Sequence, residues 1–291
     1  MKMKVVPNQQ LLRAIQCPIC HSAMSLRAGM DGTAASLVCS GVKCHCYDMA
    51  ASGYVNLALS GHSNGGDSKD AVRARREFLN LGYYAPAADA LAETVRRYTD
   101  PKEGIVIDAG CGEGYYSERL AKDGYSVAGV DVSRPAVDSA AKRFARGGIE
   151  QGFFGVASVY ELPFADESAS AVINVFAPCA EREFVRVLRP NGILAVMLAG
   201  PEHLMGLKKA MYDQVRKNDT RADLPLELTK IDEVRVCFEA CVEGSEAVQN
   251  LFAMTPYYWR TSQEDGEKLK KLSCLTTTVD MVIAVYQKKP R

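Results

Sequence analysis

The chain has 291 residues, 47% apolar and 24% charged, which excludes disordered and fibrous classes and leaves room for one large α/β domain plus a small one. Lys and Arg number 35 and Asp and Glu 35, so no global positive field advertises a nucleic-acid partner and any basic surface must be local. No run of 18 apolar residues occurs, and MKMKVVPNQQ has no apolar signal core, so we expect a cytoplasmic protein with no membrane partner.

Ten cysteines are present, and five of them fall between Cys17 and Cys46. In a reducing compartment such clustering points to metal ligation rather than disulfides. Cys17-Pro-Ile-Cys20 is a C-x-x-C knuckle, and Cys39 opens a second one, CSGVKCHC. Two knuckles on adjacent hairpins place four soft ligands around Zn²⁺, and a segment this small has too little core to fold alone. A closed set of four ligands makes the ion structural. Cys17, Cys20 and Cys39 are three of them, while Cys44, His45 and Cys46 compete for the fourth place. Idle surface thiols are the plainer alternative.

A Gly/Ser/Asn-rich stretch at 61–69 separates a small domain at 1–60 from a large one at 70–291. The pattern predicts a helix over 70–81 carrying Arg73, Arg75 and Arg76, which either grip phosphates or form a solvated face. A second helix is expected over 86–98.

Ile105-Val106-Ile107 then runs into Asp108 and breaks at Gly110, Gly112 and Gly114, a buried strand emptying into a glycine-rich turn before a helix. The spacing lacks both the third glycine of a dinucleotide loop and the Gly-Lys-Ser/Thr ending of a phosphate-cradling loop. The remaining pattern is that of a site for S-adenosylmethionine, which has no phosphate to hold. A strand predicted over 126–131 ends in Asp131, placed to accept hydrogen bonds from both ribose hydroxyls of an adenosine. Capping the next helix is the alternative role, although Ser133 can fill it.

The alternation continues with a helix over 134–145, a strand over 152–158, and the loop ELPFADESA, where the adenine would rest. A fourth strand, 170–175, releases Asn174 to Cys179 at the carboxyl edge of the sheet, where ligands gather in open α/β sheets. Phe176 there either stacks on an exposed base or packs under a helix. A helix over 180–188 and the strand GILAVMLAG follow, then a helix starting at Pro201 with His203 in its first turn. Residues 221–291 read as an acidic helical stretch, VQNLFAMTPYYWR, and a closing strand TTTVDMVIAVYQKK. Two late strands would complete a seven-stranded, mostly parallel sheet with an antiparallel end.

Seven blocks in one order resemble the bacterial large-subunit ribosomal RNA guanine-N1 methyltransferases, the RlmA/TlrB family: CPIC, CHCYDMAASGYVNL, GDS with ARREFLNLGYY, DAGCGEGYYS, FAPC, GPEHLM and MTPYYWR. The resemblance covers nearly the whole chain. It implies a class I, Rossmann-like methyltransferase fused to an N-terminal zinc-binding domain that recognises a hairpin of 23S ribosomal RNA, and a homodimer. It also implies a cofactor site drawing on Tyr84, Gly110, Gly112, Tyr116, Ser117, Asp131 and His203. The family's second knuckle, counted back from Asp48, selects His45, but five residues rather than three separate Cys39 from it, which keeps Cys44 in contention. No side chain stands out as a general base. Two rival readings are a small-molecule methyltransferase and a catalytically silent rRNA-binding protein.

Overall fold

The computed structural model describes residues 4–30, 32–59, 66–218 and 227–290. Part of the expected linker, residues 61–65, lies outside them. The chain begins with helix α1 (Gln9–Ala14), which Asn8 caps by accepting from the Leu11 amide. Strands β1 (Met24–Ala28), β2 (Ala34–Cys39) and β3 (Cys46–Asp48) form a small antiparallel sheet. Next come β4 (Val55–Asn56), α2 (Lys69–Asn80) and α3 (Ala85–Tyr98). The alternating core is β5 (Ile105–Ala109), α4 (Tyr115–Lys122), β6 (Ser126–Asp131), α5 (Arg134–Gly147), β7 (Gly152–Val156), β8 (Ala169–Val175), α6 (Glu181–Val187) and β9 (Leu188–Ala199). The chain closes with α7 (Met205–Met211), β10 (Leu228–Glu243), α8 (Ser245–Ala253), a 3-10 turn (Pro256–Trp259), α9 (Gln263–Lys270) and β11 (Cys274–Lys288).

The large sheet has the order β10-β11-β9-β8-β5-β6-β7-β4. Strands β5 to β9 are parallel, and β11 and β10 are antiparallel to their neighbours. The six strands that the sequence placed are all present, but the sheet has eight. Val55 and Asn56 pair with Gly155 and Val156 along the free edge of β7. Two residues are too few to read as a strand in isolation; they are held there because an unpaired sheet edge accepts them.

A second correction concerns 228–243, where the expected helix is a strand. Val234, Val236, Phe238, Ala240 and Val242 face inward, and Arg235, Cys237, Glu239, Cys241 and Glu243 face out. This two-residue period outweighs the helix-favouring composition. A third correction shortens the helix expected from Pro201. It starts at Met205, because Leu204 adopts a left-handed φ of +56°, and His203 lies in the turn before it.

The N-terminal segment is partly built into the large layer. Leu11 and Ile15 are fully buried in one cluster with Ile105, Ile107 and Val130, and Asn8 Nδ2 donates to Ser126 Oγ at 2.9 Å. Ile15 bridges Phe164, and the Gln16 amide donates to Pro163 O at 2.9 Å. The chain is therefore tethered to the large layer one residue before Cys17.

Candidate active site and metal centre

All five residues of β5 are buried, so the strand delivers the glycine turn to the carboxyl edge with no freedom of its own. Gly110, Gly112 and Gly114 have φ of +85°, +53° and +83°. A Cβ on Gly110 would lie 2.4 Å from Ala177 Cβ, which explains why the FAPC loop closes directly over the turn. At Gly112 the same test meets only Arg75 Nη1, at 3.7 Å, so this position lines an open cradle. Glu113, buried within the turn, is gripped by Arg143 of α5, Nε to Oε2 2.9 Å.

Asp131 locks this cradle. Its Oδ2 accepts from the Gly112 amide at 3.0 Å and its Oδ1 from the Ser133 amide at 2.8 Å. Each carboxylate oxygen keeps further acceptor capacity, which suits a pair of ribose hydroxyls. Ser133 caps α5 by accepting from the Ala136 amide, as the sequence allowed. Burial pushes the Asp131 carboxyl up, and it raises Asp108 to about 7 despite the hydrogen bond from Ser117. That bond, Ser117 Oγ to Asp108 Oδ2 at 2.5 Å, turns the serine hydroxyl toward the strand end rather than the cradle. Tyr116 is partly buried against the core, and its buried hydroxyl has no partner among the described residues, an orphaned polar group of the kind a ligand satisfies.

Across the edge, Tyr84, His203 and Phe176 meet. Tyr84 Oη lies 3.4 Å from His203 Nε2, and the Asp280 amide donates to His203 Nδ1 at 3.2 Å. Because Nδ1 accepts, the proton of the neutral ring is assigned to Nε2. Burial lowers the imidazole to about 4. Phe176 adopts φ +51° and stacks on His203 with centroids 5.8 Å apart and planes 22° from parallel. It is 48% exposed, so it does not pack under a helix. Asn174 Nδ2 donates to Ala109 O and Pro178 O, each at 3.1 Å, which ties the FAPC loop to the glycine turn and leaves only Oδ1 without a partner among the described residues.

The sequence did not single out Asp280. It is fully buried, accepts from Arg235 Nε at 2.8 Å and Nη2 at 2.9 Å, and takes the Glu202 amide at 2.9 Å, pinning the turn that carries His203. The Arg235 guanidinium holds its carboxyl below the usual range. An acid in the middle of the apolar run VDMVIAVY was the available signal. Of the three arginines of α2, Arg75 pairs with Asp67 beside the cradle, whereas Arg73 lies outward with Asp70 and Arg76 lies 3.8 Å from Glu77.

At the other end of the molecule, Cys17, Cys20 and Cys39 Sγ and His45 Nδ1 all lie within 4.8 Å of one another. The separations Cys17–His45, Cys20–His45, Cys20–Cys39 and Cys39–His45 are 3.5, 3.5, 3.6 and 3.6 Å. A tetrahedron with metal–sulfur bonds of about 2.3 Å and a metal–nitrogen bond of about 2.0 Å has edges of roughly 3.5–3.8 Å. The donor set thus fits Zn²⁺ by chemistry and by spacing. Tyr47 Oη sits 3.2 Å from Cys17 Sγ and the His45 amide donates to Cys39 Sγ at 3.1 Å, bonds that favour thiolates. Cys44 does not join this cluster, and Cys46 Sγ instead accepts from Arg27 Nη2 at 3.0 Å.

Comparison with known proteins agrees with this architecture. A family model described as a methyltransferase domain matches residues 106–192. The 23S rRNA (guanine(748)-N(1))-methyltransferase of Streptomyces fradiae is 35% identical over 208 residues, 70% of each chain. A Micromonospora griseorubida relative named for 23S rRNA (guanine-N(1)-) methylation is 34% identical over 216 residues, 69% of this chain and 70% of its own. A Bacillus subtilis relative of the same name class is 27% identical over 288 residues, 94% of this chain and 96% of its own. With a glycine cradle locked by a strand-end aspartate, and this degree of identity over more than two thirds of two relatives, the chain belongs to the 23S rRNA (guanine-N1)-methyltransferase family.

Proposed function

We propose that the chain transfers a methyl group from S-adenosylmethionine to N1 of a guanine in a hairpin of 23S rRNA. The observation that carries the reading is a juxtaposition on one sheet edge: the cradle locked by Asp131 lies beside the half-exposed Phe176 ring stacked on His203. Tyr84, Gly110, Gly112, Tyr116, Asp131 and His203 would hold the cofactor, with Ser117 acting through its bond to Asp108. Bound there, it supplies an electrophilic methyl carbon and its own leaving group. The protein's part is alignment and exclusion of water. Asp131 accepts the ribose hydroxyls, Tyr116 presents its hydroxyl, and the glycines make room. Guanine N1 lies inside a base pair, so the base must leave the stack, and Phe176 offers it a face. With the imidazole proton on Nε2 and Asp131 engaged, we assign no general base.

Residues 1–47 carry five basic residues, Lys2, Lys4, Arg13, Arg27 and Lys43, against one acid, Asp31. The neutral total thus hides a positive N-terminal lobe suited to an RNA backbone. Ile19 and Val42, both exposed at the knuckle tips, add apolar contact. We assign residues 1–60 to recognition of the hairpin, with Cys17, Cys20, Cys39 and His45 on a structural Zn²⁺, and residues 70–291 to methyl transfer by a homodimer. A small-molecule methyltransferase has no use for such a lobe. Tritium transfer to unmodified 23S rRNA, free nucleosides and quinones tests the reading. Label only on rRNA is expected; label on a free nucleoside or quinone, or on nothing, refutes it.

A further inference from the structure

The chain's single tryptophan is not in the core. Trp259 is 71% exposed and its neighbour Tyr258 47%, on the 3-10 turn Pro256–Trp259. Their rings meet edge to face at 5.2 Å, and Tyr258 meets Phe252 at 5.4 Å, so the pair is held out from the surface on a fixed base. Burying a large aromatic ring typically stabilises a fold by about 2–3 kcal/mol. Two such rings left in water side by side are a signature of a contact surface.

The turn is wired to the cofactor edge. Tyr257 Oη donates to Asn218 Oδ1 at 3.3 Å, and Asn218 Nδ2 donates to the backbone oxygens of Gly200 at 2.9 Å and His203 at 3.1 Å. Lys208 joins the same knot, donating to Asn218 Oδ1 at 2.6 Å with its ammonium 5.6 Å from the centroid of Tyr257. His203 in turn carries the stacked Phe176. The PYYW turn is thus linked through Tyr257 and Asn218 to the turn carrying His203, on which the exposed Phe176 ring of the FAPC loop stacks. Arg260 follows immediately, exposed and without an ion pair among the described residues.

We propose that Tyr258 and Trp259 form a stacking platform for unpaired nucleobases next to the guanine that is methylated, with Arg260 answering the adjoining phosphate. The occupant is single-stranded RNA because flat rings stack on any base, and a neighbouring unshared cation matches the backbone that connects such bases. A base removed from its helix also exposes its neighbours, which need a surface to replace the stacking they lose. Phe176 would hold the target and the PYYW turn its flank. The proposal deepens the rRNA reading above and rests on it.

Because Trp259 is the only tryptophan, its fluorescence reports on this turn alone. The probes are a 23S rRNA fragment that accepts label from the wild-type protein, a fully paired RNA duplex, and S-adenosylhomocysteine. We expect quenching by the fragment and not by the other two. Trp259→Ala should weaken fragment binding about five- to a hundredfold, the range for loss of one stacked base. Trp259→Phe should restore it to within about threefold, and calorimetric affinity for S-adenosylmethionine should be the same in all three proteins. Label transferred to the fragment with unquenched Trp259 and unchanged affinity in Trp259→Ala would overturn the platform while leaving the methyltransferase reading intact. An emission shift with protein concentration in the absence of RNA would assign the surface to a second copy instead and equally overturn it. Failure of the underlying reading shows separately, as no label on any rRNA.

Discussion

In the N-terminal lobe, four candidate ligand atoms from two knuckles converge beside the buried Met24 and Leu37. In the glycine turn, by contrast, every residue of β5 is buried and most polar groups pair, Ser117 with Asp108, Arg143 with Glu113 and the Gly112 amide with Asp131, while Tyr116 Oη and Glu113 Oε1 have no partner among the described residues. On the proposed reading one region draws its order from a bound Zn²⁺, the other from packing among its own residues. The two regions are nonetheless joined, since Cys17, Met24, Leu37 and Cys39 share one buried cluster with Ile105 and Ile107, and Ile15 bridges Phe164.

The largest effect should come from breaking the metal lobe. Cys39→Ser removes one of four ligands and should reduce bound zinc from one per chain to near none by elemental analysis, since structural zinc supplies on the order of 10 kcal/mol of folding energy. Affinity for rRNA should collapse, whereas affinity for S-adenosylmethionine should fall by no more than about tenfold, the usual scale of coupling between two sites. Next is Asp131→Ala. It removes two charge-assisted bonds to the backbone and the ribose acceptor together, and should weaken S-adenosylmethionine binding at least about a hundredfold by calorimetry, on the order of 3 kcal/mol, with zinc content unchanged.

His203 provides a smaller effect that depends on pH. Its folded value of about 4 lies below the ordinary 6.5, so between these the unfolded chain binds more protons. Stability therefore rises with pH across that window and is lost on acidification, by about 2 kcal/mol at pH 5 from this group alone. His203→Gln should flatten the slope of chemical-denaturation stability between pH 4 and 6.5. The smallest effect belongs to Cys111. Burial pushes its thiol well above the ordinary range, so it packs rather than reacts. Cys111→Ala should cost about 1 kcal/mol and leave the rate of methyl transfer unchanged within twofold in a single-turnover assay.

The glycine turn and Asp131 were legible because a tight strand–turn–helix connection constrains local sequence: left-handed φ values demand glycine at Gly110 and Gly114, and the strand end fixes where the acid must stand. Three of the metal ligands were legible for the same reason, since a knuckle writes its spacing into the chain. The fourth was legible only through the family resemblance, which selected His45, because spacing alone leaves Cys44, His45 and Cys46 within three positions and the three-dimensional path brings His45 to the cluster and Cys46 to Arg27. Long-range partners were hidden too. Nothing local announces that Asp280 and Arg235 pin the turn under His203, or that Val55 and Asn56 join β7. The strand over 228–243 was obscured by its charged outer face, although its inner face alternates throughout.

The most direct test of the central claim is mass spectrometry of nucleosides from 23S rRNA treated with the protein and S-adenosylmethionine. Wild-type protein should yield one 1-methylguanosine per rRNA molecule, mapped to a hairpin, and Asp131→Ala should yield none under the same conditions. Methylation at another base or another atom of guanine, or full activity in Asp131→Ala, would contradict the account.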